Sequence, residues 1–383
     1  MKNNYERLEE NPLFQISLGS KELFHSNFLY WLSIKYPKEF GLLFAELSND
    51  KNLGEFSKCT RETKNIDLTV EYENDIIYIE NKVKSIATKK QLDDYKDKLT
   101  GKNTNKGVFL FLGLFKPSFF DKNYKYEGWK YVSYKELKKQ IKERIPGSEY
   151  RDDYINFIEA LSEVSKKFEV KSDENINFID NEDYKKCKKL RIHDLYLKRK
   201  FIEIGNRVFK NHSGKINRVY GSGWLRTMDM DKENRCFLNC DFNNGKGTLT
   251  LDYRIDSKWT ISVQLEGNTY RHCLFYVDKN SYLSNNNGEE KIRRISKKLK
   301  DDKIWFDSRL KDRWDTEDIK GNGRSGDKGF NQYFIKRKNY EELFLYRYVQ
   351  LKNNKVQDVV DAFKCDFNYI EKKISDIHKL ITK

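Results

Sequence analysis

The chain has 383 residues, enough for two domains that each bury a core of their own. Aromatic residues make up 14% of it, which excludes an intrinsically disordered chain although 35% of the residues are charged. The formal net charge of +15 favours a polyanionic partner such as DNA or RNA, although a lysine-rich composition alone can produce the same excess.

Targeting and redox signals are weak throughout the chain. No apolar run is long enough to cross a membrane, and the first thirty residues carry charges where a signal peptide would be apolar. The six cysteines are scattered and do not form a disulfide framework. We therefore expect a cytoplasmic protein with reduced thiols and no contact with a membrane.

Two short strands are predicted in the first third of the chain. Apolar and polar residues alternate over Ile66–Tyr72, which is typical of a half-buried strand and places Asp67 on its polar face. Glu73-Asn74-Asp75 favours a turn, because Asn and Asp readily adopt turn conformations. The run Ile76–Lys82 is then a second strand, antiparallel to the first.

The hairpin predicts a group of three charged side chains. Glu80 and Lys82 are two residues apart on a strand and therefore point to the same face. Pairing through the turn brings Asp67 beside Glu80 at the open end. Two adjacent carboxylates repel each other unless a cation lies between them, and hard oxygen ligands suit Mg²⁺. Lys82 would hold or deprotonate an attacking water, or neutralise charge on a phosphate. The alternative is an ordinary hairpin with surface charges.

The order of these residues resembles that of a known family. Asp67, then Glu80-Asn81-Lys82, then Gln91 and Tyr95 on a helix-like segment is similar to the PD-(D/E)XK nuclease superfamily. The resemblance covers residues 14 to 135. It is strongest to a bacterial branch whose members begin with a helix of the type seen in Glu22–Leu29. The residue before Asp67 is isoleucine where the name of the superfamily has proline.

The resemblance implies a fold, a reaction and a set of site residues. The fold is an α/β restriction-endonuclease-like core with a mixed sheet flanked by helices, and the reaction is Mg²⁺-dependent cleavage of nucleic acid, with Mn²⁺ expected to substitute. The implied catalytic residues are Asp67, Glu80, Lys82, Gln91 and Tyr95. The implied metal ligands are Asp67, Glu80, Asn81 through its carbonyl, and Glu22 from the opening helix.

Three side chains near this group have an alternative interpretation. Glu22 is equally consistent with a solvated position on an amphipathic helix. Glu62 precedes Asp67 by five residues and reaches the same face only if a bulge at Lys64-Asn65 resets the register. His25 lies on the same helix as Glu22, and a histidine in a helix is more often structural than catalytic.

The rest of the first half completes one domain, predicted to span residues 1–170. Its further predicted elements are strands at Val108–Leu114 and Lys130–Tyr134, a helix from Lys135, and a closing amphipathic helix at Asp152–Phe168. The polar stretch Lys171–Asp183 is predicted to be a linker.

The second half is predicted to form an α+β domain spanning residues 184–383. A basic helix at Tyr184–Lys210 precedes strands at Ile216–Tyr220, Arg235–Phe242, Gly247–Ile255, Trp259–Leu265 and His272–Val277, and helices at Glu289–Leu299, Tyr340–Leu351 and Phe367–Ile381. The helix near residue 290 carries a basic cluster that would follow a phosphate backbone or form a solvated face: Lys291, Arg293, Arg294, Lys297 and Lys298.

The function predicted from these features is Mg²⁺-dependent hydrolysis of phosphodiester bonds in DNA. We expect an endonuclease of bacterial anti-phage defence or restriction, in which the first domain cuts and the second selects the substrate or partner. One alternative is an inactive nucleic-acid-binding or regulatory module, and another is a nuclease directed to RNA or transposon ends. A homodimer or a defence-system partner protein remains open.

Overall fold

The structure is a computed structural model that describes residues 2–17, 22–63, 65–85, 87–100, 107–210, 216–220, 235–243, 245–278, 287–314, 319–321, 330–337 and 340–382. The chain divides into two compact units. The first comprises Met1–Phe168 with Lys186–Tyr196, and the second comprises Glu169–Lys185 with Leu197–Lys383. The predicted domains 1–170 and 184–383 remain a proposal, because a compact unit is defined by contacts and a domain by independent folding.

A mixed sheet lies at the centre of the first unit. Its strands are β1 (Phe56–Thr63), β2 (Ile66–Tyr72), β3 (Ile76–Lys82), β4 (Val108–Gly113), β5 (Lys125–Tyr126) and β6 (Trp129–Ser133). Among the described residues these six strands are ordered β1-β2-β3-β4-β6-β5. β1, β2 and β3 pair antiparallel, whereas β3, β4 and β6 pair parallel. The predicted mixed sheet is confirmed.

Helices flank this sheet. They are α1 (Asn4–Glu10), α2 (Pro12–Ser17), α3 (Glu22–Lys35), α4 (Pro37–Ser48), α5 (Lys89–Thr100), α6 (Tyr134–Arg144) and α7 (Glu149–Lys166). α3 packs on β1, β2 and β3, and α7 packs on α1, α2 and α6. Ser133 is the N-cap of α6, because its side chain accepts the backbone N–H of Glu136 at 3.1 Å.

The other face of the sheet packs against α5. Leu92 and Leu99 of α5 contact a cluster of aromatic side chains from β3, β4 and β6, which includes Tyr78, Phe109 and Trp129. Each large apolar side chain buried in this way contributes roughly 1.5–3 kcal/mol to stability. The cluster therefore fixes α5 against the strand that carries Glu80 and Lys82.

The predicted hairpin is observed with the bounds that the sequence indicated, at β2 and β3. The backbone N–H of Tyr72 donates to the carbonyl oxygen of Asp75 at 2.9 Å and closes the turn. The Asp75 carboxylate accepts the backbone N–H of Ile76 at 2.8 Å, as an aspartate in a turn commonly does. Local turn chemistry therefore sets the register that places Asp67 beside Glu80.

The second unit contains a larger sheet. Its strands are β7 (Asn217–Tyr220), β8 (Cys236–Asn243), β9 (Lys246–Arg254), β10 (Trp259–Glu266), β11 (Thr269–Asp278), β12 (Asn331–Arg337) and β13 (Tyr340–Gln350). In the part of the chain that the structure describes, these seven strands are ordered β12-β13-β11-β10-β9-β8-β7. Neighbouring strands pair antiparallel except β7 and β8, which are parallel.

Helices pack on this sheet and confirm the predicted α+β class. They are α10 (Asn287–Asp301), α11 (Asp307–Trp314) and α12 (Val356–Thr382), while the residues of α8 (Glu182–Lys189) and α9 (His193–Lys210) are divided between the two units. α12 packs on β9 and β10, and α10 packs on β11 and β13. No helix in the described ranges is long and apolar enough to cross a membrane.

Three predicted elements after residue 170 differ from the structure. The helix predicted at Tyr340–Leu351 is wrong, because Tyr340–Gln350 forms strand β13 between β11 and β12. The helix predicted at Tyr184–Lys210 is two helices, α8 and α9, separated where Arg191 adopts a left-handed φ of 55°. The stretch Lys171–Asp183 is part of the second unit, where the backbone N–H of Ile176 donates to the carbonyl of Asn354 at 3.0 Å.

Candidate active site

Three charged side chains meet where β2 and β3 lie side by side. Leu68 pairs with Ile79, so Asp67 and Glu80 face each other one residue further along. The backbone N–H of Asn81 donates to Asp67 Oδ2 at 2.7 Å, and Lys82 Nζ lies 2.5 Å from Glu80 Oε1. The structure thus brings together Asp67, Glu80 and Lys82, the three residues on which the sequence prediction depends.

Glu80 is buried, and its two carboxylate oxygens differ in their hydrogen bonding. Its side chain is 2% exposed, and Oε1 accepts from both Lys82 and Gln91. Oε2 is buried and has no hydrogen-bond partner among the described residues. Burial raises the pKa of Glu80 to about 7; Lys82 opposes this shift and the neighbouring Asp67 carboxylate adds to it.

The two other charges are perturbed by the same surroundings. Burial raises the pKa of Asp67, and the backbone N–H of Asn81 opposes that shift. Burial disfavours the ammonium form of Lys82, but the Glu80 carboxylate outweighs burial, so the pKa of Lys82 is raised. Lys82 therefore keeps its positive charge at neutral pH, between two carboxylates that are both harder to ionise than usual.

Gln91 and Tyr95 reach this group from α5. Thr88 caps the helix, since its hydroxyl oxygen accepts the backbone N–H of Gln91 at 3.0 Å. Gln91 Nε2 donates to Glu80 Oε1 at 3.1 Å and to the Tyr95 hydroxyl at 2.9 Å. Gln91 thus contacts the site directly, whereas Tyr95 acts through Gln91. The predicted spacing of four residues corresponds to one helical turn.

The side chain of Asn81 points to the opposite face and anchors β3. Its Nδ2 donates to the Glu22 carbonyl and to Ser26 Oγ, both at 3.2 Å, and its Oδ1 accepts from the Tyr134 hydroxyl. Asn81 is fully buried. The proposed ligand role of its carbonyl remains a prediction. Sequence reasoning missed Ser26 and Tyr134, because they come from distant segments with no motif spacing to Asn81.

Glu22 holds the backbone that follows β3. Its Oε1 accepts the backbone N–H groups of Lys84 at 2.7 Å and Ser85 at 2.6 Å. Burial works against ionisation, but these two N–H groups outweigh it and lower the pKa of Glu22. Glu22 also raises the pKa of Asp67, so its charge acts at the site. Its role as a metal ligand stays a prediction.

His25 and Glu62 occupy different settings. His25 is 1% exposed, its Nδ1 lies 3.0 Å from the Tyr154 hydroxyl, and burial lowers its pKa to about 3. These contacts favour the structural interpretation of His25. Glu62 is exposed, has a left-handed φ of 54°, and contributes to the raised pKa of Asp67. Of the bulge predicted at Lys64-Asn65, Lys64 lies outside the described residues and Asn65 has a φ of 68°.

The basic cluster of α10 divides into two groups. Arg293 Nη2 pairs with Glu289 at 2.8 Å, and Lys291 Nζ lies 5.8 Å from the centre of the Trp259 ring. These two cations are already used within the second unit. The exposed members of the cluster are Arg294, Lys297 and Lys298. These three present the most charge to solvent, since Lys291 and Arg293 are half-buried, and their role in nucleic-acid binding remains a prediction.

Comparison with protein families bears on the same strands. Residues 42–163 match the family model of the PD-(D/E)XK nuclease superfamily. The predicted family is confirmed over this segment, which contains Asp67, Glu80 and Lys82. A PD-(D/E)XK nuclease match indicates a phosphodiester-cleaving enzyme, and members of this superfamily typically use divalent metal ions. No curated protein and no solved structure matches the chain.

Proposed function

We propose that this protein is a divalent-metal-dependent nuclease that cleaves DNA internally, with Mg²⁺ as its ion and Mn²⁺ able to replace it. The observation that carries the proposal is the group formed by Asp67, Glu80 and Lys82, in which a buried carboxylate oxygen of Glu80 has no hydrogen-bond partner in the part of the chain that the structure describes. Together with the PD-(D/E)XK match over residues 42–163, this group supports phosphodiester hydrolysis.

The side chains at this site fit a hard cation. Glu80 Oε2 is buried without a hydrogen-bond partner from any described residue, and the Asp67 carboxylate raises the pKa of Glu80, so a cation between the two carboxylates would relieve both costs. Among the described residues no group of three or more His, Cys, Asp or Glu side chains is gathered for a metal. We propose Asp67 and Glu80 as the side-chain ligands and the Asn81 carbonyl as a further one; Glu22, whose Oε1 accepts the backbone N–H groups of Lys84 and Ser85, would join them only when a bound cation draws the carboxylates together. When bound, the cation supplies Lewis-acid polarisation of the phosphodiester.

The chain's own residues supply the remaining chemistry. Lys82 is held by Glu80 at 2.5 Å and is positively charged, so it can hold a water and stabilise the negative charge that builds on the phosphate. Gln91 fixes the Glu80 carboxylate, and the backbone N–H of Asn81 fixes that of Asp67. Both carboxylates are thus oriented before a substrate arrives, which lowers the cost of reaching the transition state.

The wider biological role is also part of the proposal. The net charge of +15 supports a nucleic-acid substrate, and we propose that Arg294, Lys297 and Lys298 of the second unit help to bind it. We propose a cytoplasmic enzyme of bacterial anti-phage defence or restriction. Because one site cuts one strand at a time, we further propose that it acts as a homodimer or with a defence-system partner protein.

Plasmid cleavage tests the proposal. The wild type should nick supercoiled DNA with Mg²⁺ or Mn²⁺ and not with EDTA, whereas Lys82→Ala and Asp67→Ala should not nick it. Lys58→Ala is the matched control, because Lys58 pairs with Glu71 at 3.3 Å on the same sheet but outside the group. Cleavage that survives both site substitutions would exclude this site. Faster cleavage of RNA than of DNA would identify RNA as the preferred substrate.

A further inference from the structure

An open cleft of about 430 Å³ lies between α3 and the end of β1. Its lining comes from two short runs of sequence, with Leu23, Asn27 and Tyr30 from α3 and Thr60, Arg61 and Glu62 from β1. The α3 residues recur every three or four positions, so they share one face of the helix. The cleft is therefore a continuous surface made by one helix face and one strand end.

This cleft borders the proposed active site. Arg61 pairs with Leu68 and Thr63 pairs with Ile66, which places Glu62 across from Asp67. At the α3 end, Leu23 directly follows Glu22, whose carboxylate holds the backbone after β3. A strand of nucleic acid whose scissile phosphate reaches Asp67 would therefore extend into the cleft.

Arg61 is oriented for an anion within the cleft. Its guanidinium lies 4.4 Å from the centre of the Tyr30 ring, and its Nη1 donates to Asn27 Oδ1. The side chain is exposed, and within the described ranges no carboxylate lies at ion-pair distance from it. A stacked guanidinium loses little further freedom on binding, so its remaining N–H groups are available to a ligand at low entropic cost.

The chemistry of the cleft selects a phosphodiester backbone. The planar fork of an arginine matches the oxygen atoms of a phosphate and can form two parallel hydrogen bonds with it. Glu62 opposes an anion, but it is exposed and screened by salt, whereas the contact from Arg61 is direct. Tyr30 and Leu23 add aromatic and apolar surface on which the adjoining sugar and base can rest.

We propose that this cleft binds the substrate strand next to the scissile phosphate, with Arg61 contacting a neighbouring phosphate and Tyr30 holding Arg61 in place. The proposal rests on the proposed nuclease function and adds to it the path of the strand. It also makes Arg61 a substrate-binding residue in the first unit, independent of the basic cluster on α10.

Steady-state cleavage of an oligonucleotide tests the role of Arg61. Arg61→Ala should raise KM about tenfold and leave kcat unchanged, because it removes binding common to the substrate and transition state. The slope of log KM against log salt concentration should fall by about one, which corresponds to the loss of one phosphate contact. Arg61→Lys, which keeps the charge and loses the fork, should lie between. Lys58→Ala removes a positive charge from the same strand outside the cleft and should behave as the wild type.

Binding without cleavage separates this proposal from the nuclease proposal. Fluorescence anisotropy in EDTA, with a labelled single strand and the matching duplex, should show about tenfold weaker binding by Arg61→Ala than by Lys58→Ala. Equal binding by the two variants, or an unchanged KM for Arg61→Ala, would contradict the proposed binding of substrate in the cleft and leave the proposed nuclease function intact. If the wild type cuts no substrate but binds nucleic acid through Arg61, the proposed nuclease function is wrong and the proposed role of the cleft is kept. If the wild type neither cuts nucleic acid nor binds it through Arg61, both proposals are wrong.

Discussion

Glu80 in the first unit and Asp366 in the second are buried carboxylates with different sets of partners. They are 2% and 0% exposed, respectively. Asp366 Oδ2 lies 2.7 Å from the Tyr270 hydroxyl and 2.9 Å from His272 Nε2, and its Oδ1 lies 3.4 Å from Arg309 Nη2. Each oxygen of Asp366 thus has a partner, whereas the donors that the described residues offer to Glu80, namely Lys82 and Gln91, use Oε1 and leave Oε2 without one.

The pKa values of these two carboxylates move in opposite directions. Burial raises the pKa of both, but at Asp366 it is outweighed by His272, Tyr270 and Arg309, so the pKa of Asp366 is lowered. At Glu80 burial prevails, and its pKa rises to about 7. Equal burial therefore does not distinguish a structural carboxylate from a reactive one. The number and placement of its donors do, because an incompletely compensated charge favours binding of a cation.

The largest effect that tests this comparison is expected from Glu80→Gln. The substitution keeps the size of the side chain and removes the charge that would bind the cation, so Mg²⁺-dependent cleavage should fall by at least about 10³-fold. We expect Mg²⁺ to raise the melting temperature of the wild type, and this increase should be absent from the variant. Single-turnover cleavage and thermal unfolding with and without Mg²⁺ measure the two effects.

The stability of Glu80→Gln provides an independent check. Because the folded pKa of Glu80 is raised, the wild type loses stability as pH rises from the ordinary value of 4.5 towards about 7. In EDTA above pH 7 the variant should therefore be more stable than the wild type, by up to about 3 kcal/mol. Glu71→Gln, in the Lys58 pair, should change neither cleavage nor this pH dependence. If Glu80→Gln is less stable than the wild type at high pH, the charge of Glu80 is compensated by its donors and its pKa is not raised.

Asp366→Asn should give the next largest effect, and that effect should be on stability. Removing the charge leaves Arg309 without its ion-pair partner and weakens the hydrogen bonds to Tyr270 and His272, and breaking a buried ion pair typically costs about 3–5 kcal/mol. Because the folded pKa is lowered, this contribution is complete above the unfolded value of about 3.9 and is lost as pH falls below it. Hydrogen exchange of peptides from β11 and α12 between pH 3 and 7 measures the loss.

Asp361→Asn is the matched control for that substitution. Asp361 lies on the same helix, is exposed, and pairs with Lys364 at 3.1 Å, so its loss should change stability by no more than about 0.5 kcal/mol. If Asp361→Asn and Asp366→Asn accelerate exchange equally, the network around Asp366 does not stabilise the second unit. A difference between the variants that persists unchanged at pH 3 would contradict the lowered pKa of Asp366.

The hairpin could be predicted because its signals are local. Alternation over β2, turn residues after it and a two-residue offset in β3 are all contained in seventeen consecutive positions of the printed sequence. β13 could not, because it carries large side chains on both faces: Leu343, Leu345 and Val349 alternate with Phe344, Tyr346 and Tyr348. A run with large side chains on both faces fits a helix as well as a central strand. Tertiary pairing with β11 and β12 decides between them.

The break between α8 and α9 has the same kind of cause. Helices usually end at glycine, asparagine or proline, and none stands between Lys188 and Asp194. The chain turns at Arg191, which adopts a left-handed φ of 55°, and Lys84 Nζ donates to the Arg191 carbonyl at 2.7 Å. A contact with a residue more than a hundred positions away holds this turn. Sequence periodicity contains no information about such a contact.

The candidate site shows the same limit at smaller scale. Spacing alone predicted that Asp67, Glu80 and Lys82 would converge, because one strand period and one turn determine their positions. The hydrogen bonds that hold the opposite face of β3 come from Ser26 and Tyr134. Neither residue has a spacing that relates it to Asn81. Their effect on the site is the smallest one that we predict.

Tyr134→Phe removes the hydroxyl that donates to Asn81 Oδ1 and leaves the ring in place. Loss of one hydrogen bond should destabilise the protein by about 1 kcal/mol. Because the backbone N–H of Asn81 orients Asp67, a small rotation of β3 should also lower kcat by about tenfold with little change in KM. Urea unfolding and steady-state cleavage measure the two quantities.

Tyr131→Phe separates positioning from general loss of stability. The Tyr131 hydroxyl is buried and donates to the Gly113 carbonyl at 3.0 Å, so this variant also loses one buried hydrogen bond of the same sheet. Its stability should fall as much as that of Tyr134→Phe, while kcat should stay at the wild-type value. If kcat falls equally in both variants, the effect reflects weakened packing of the sheet. A loss of kcat confined to Tyr134→Phe would mean that the hydrogen bonds of the Asn81 side chain position the site. The strand would then be held by the partners of Asn81, whereas Glu80 Oε2 stays available for a cation.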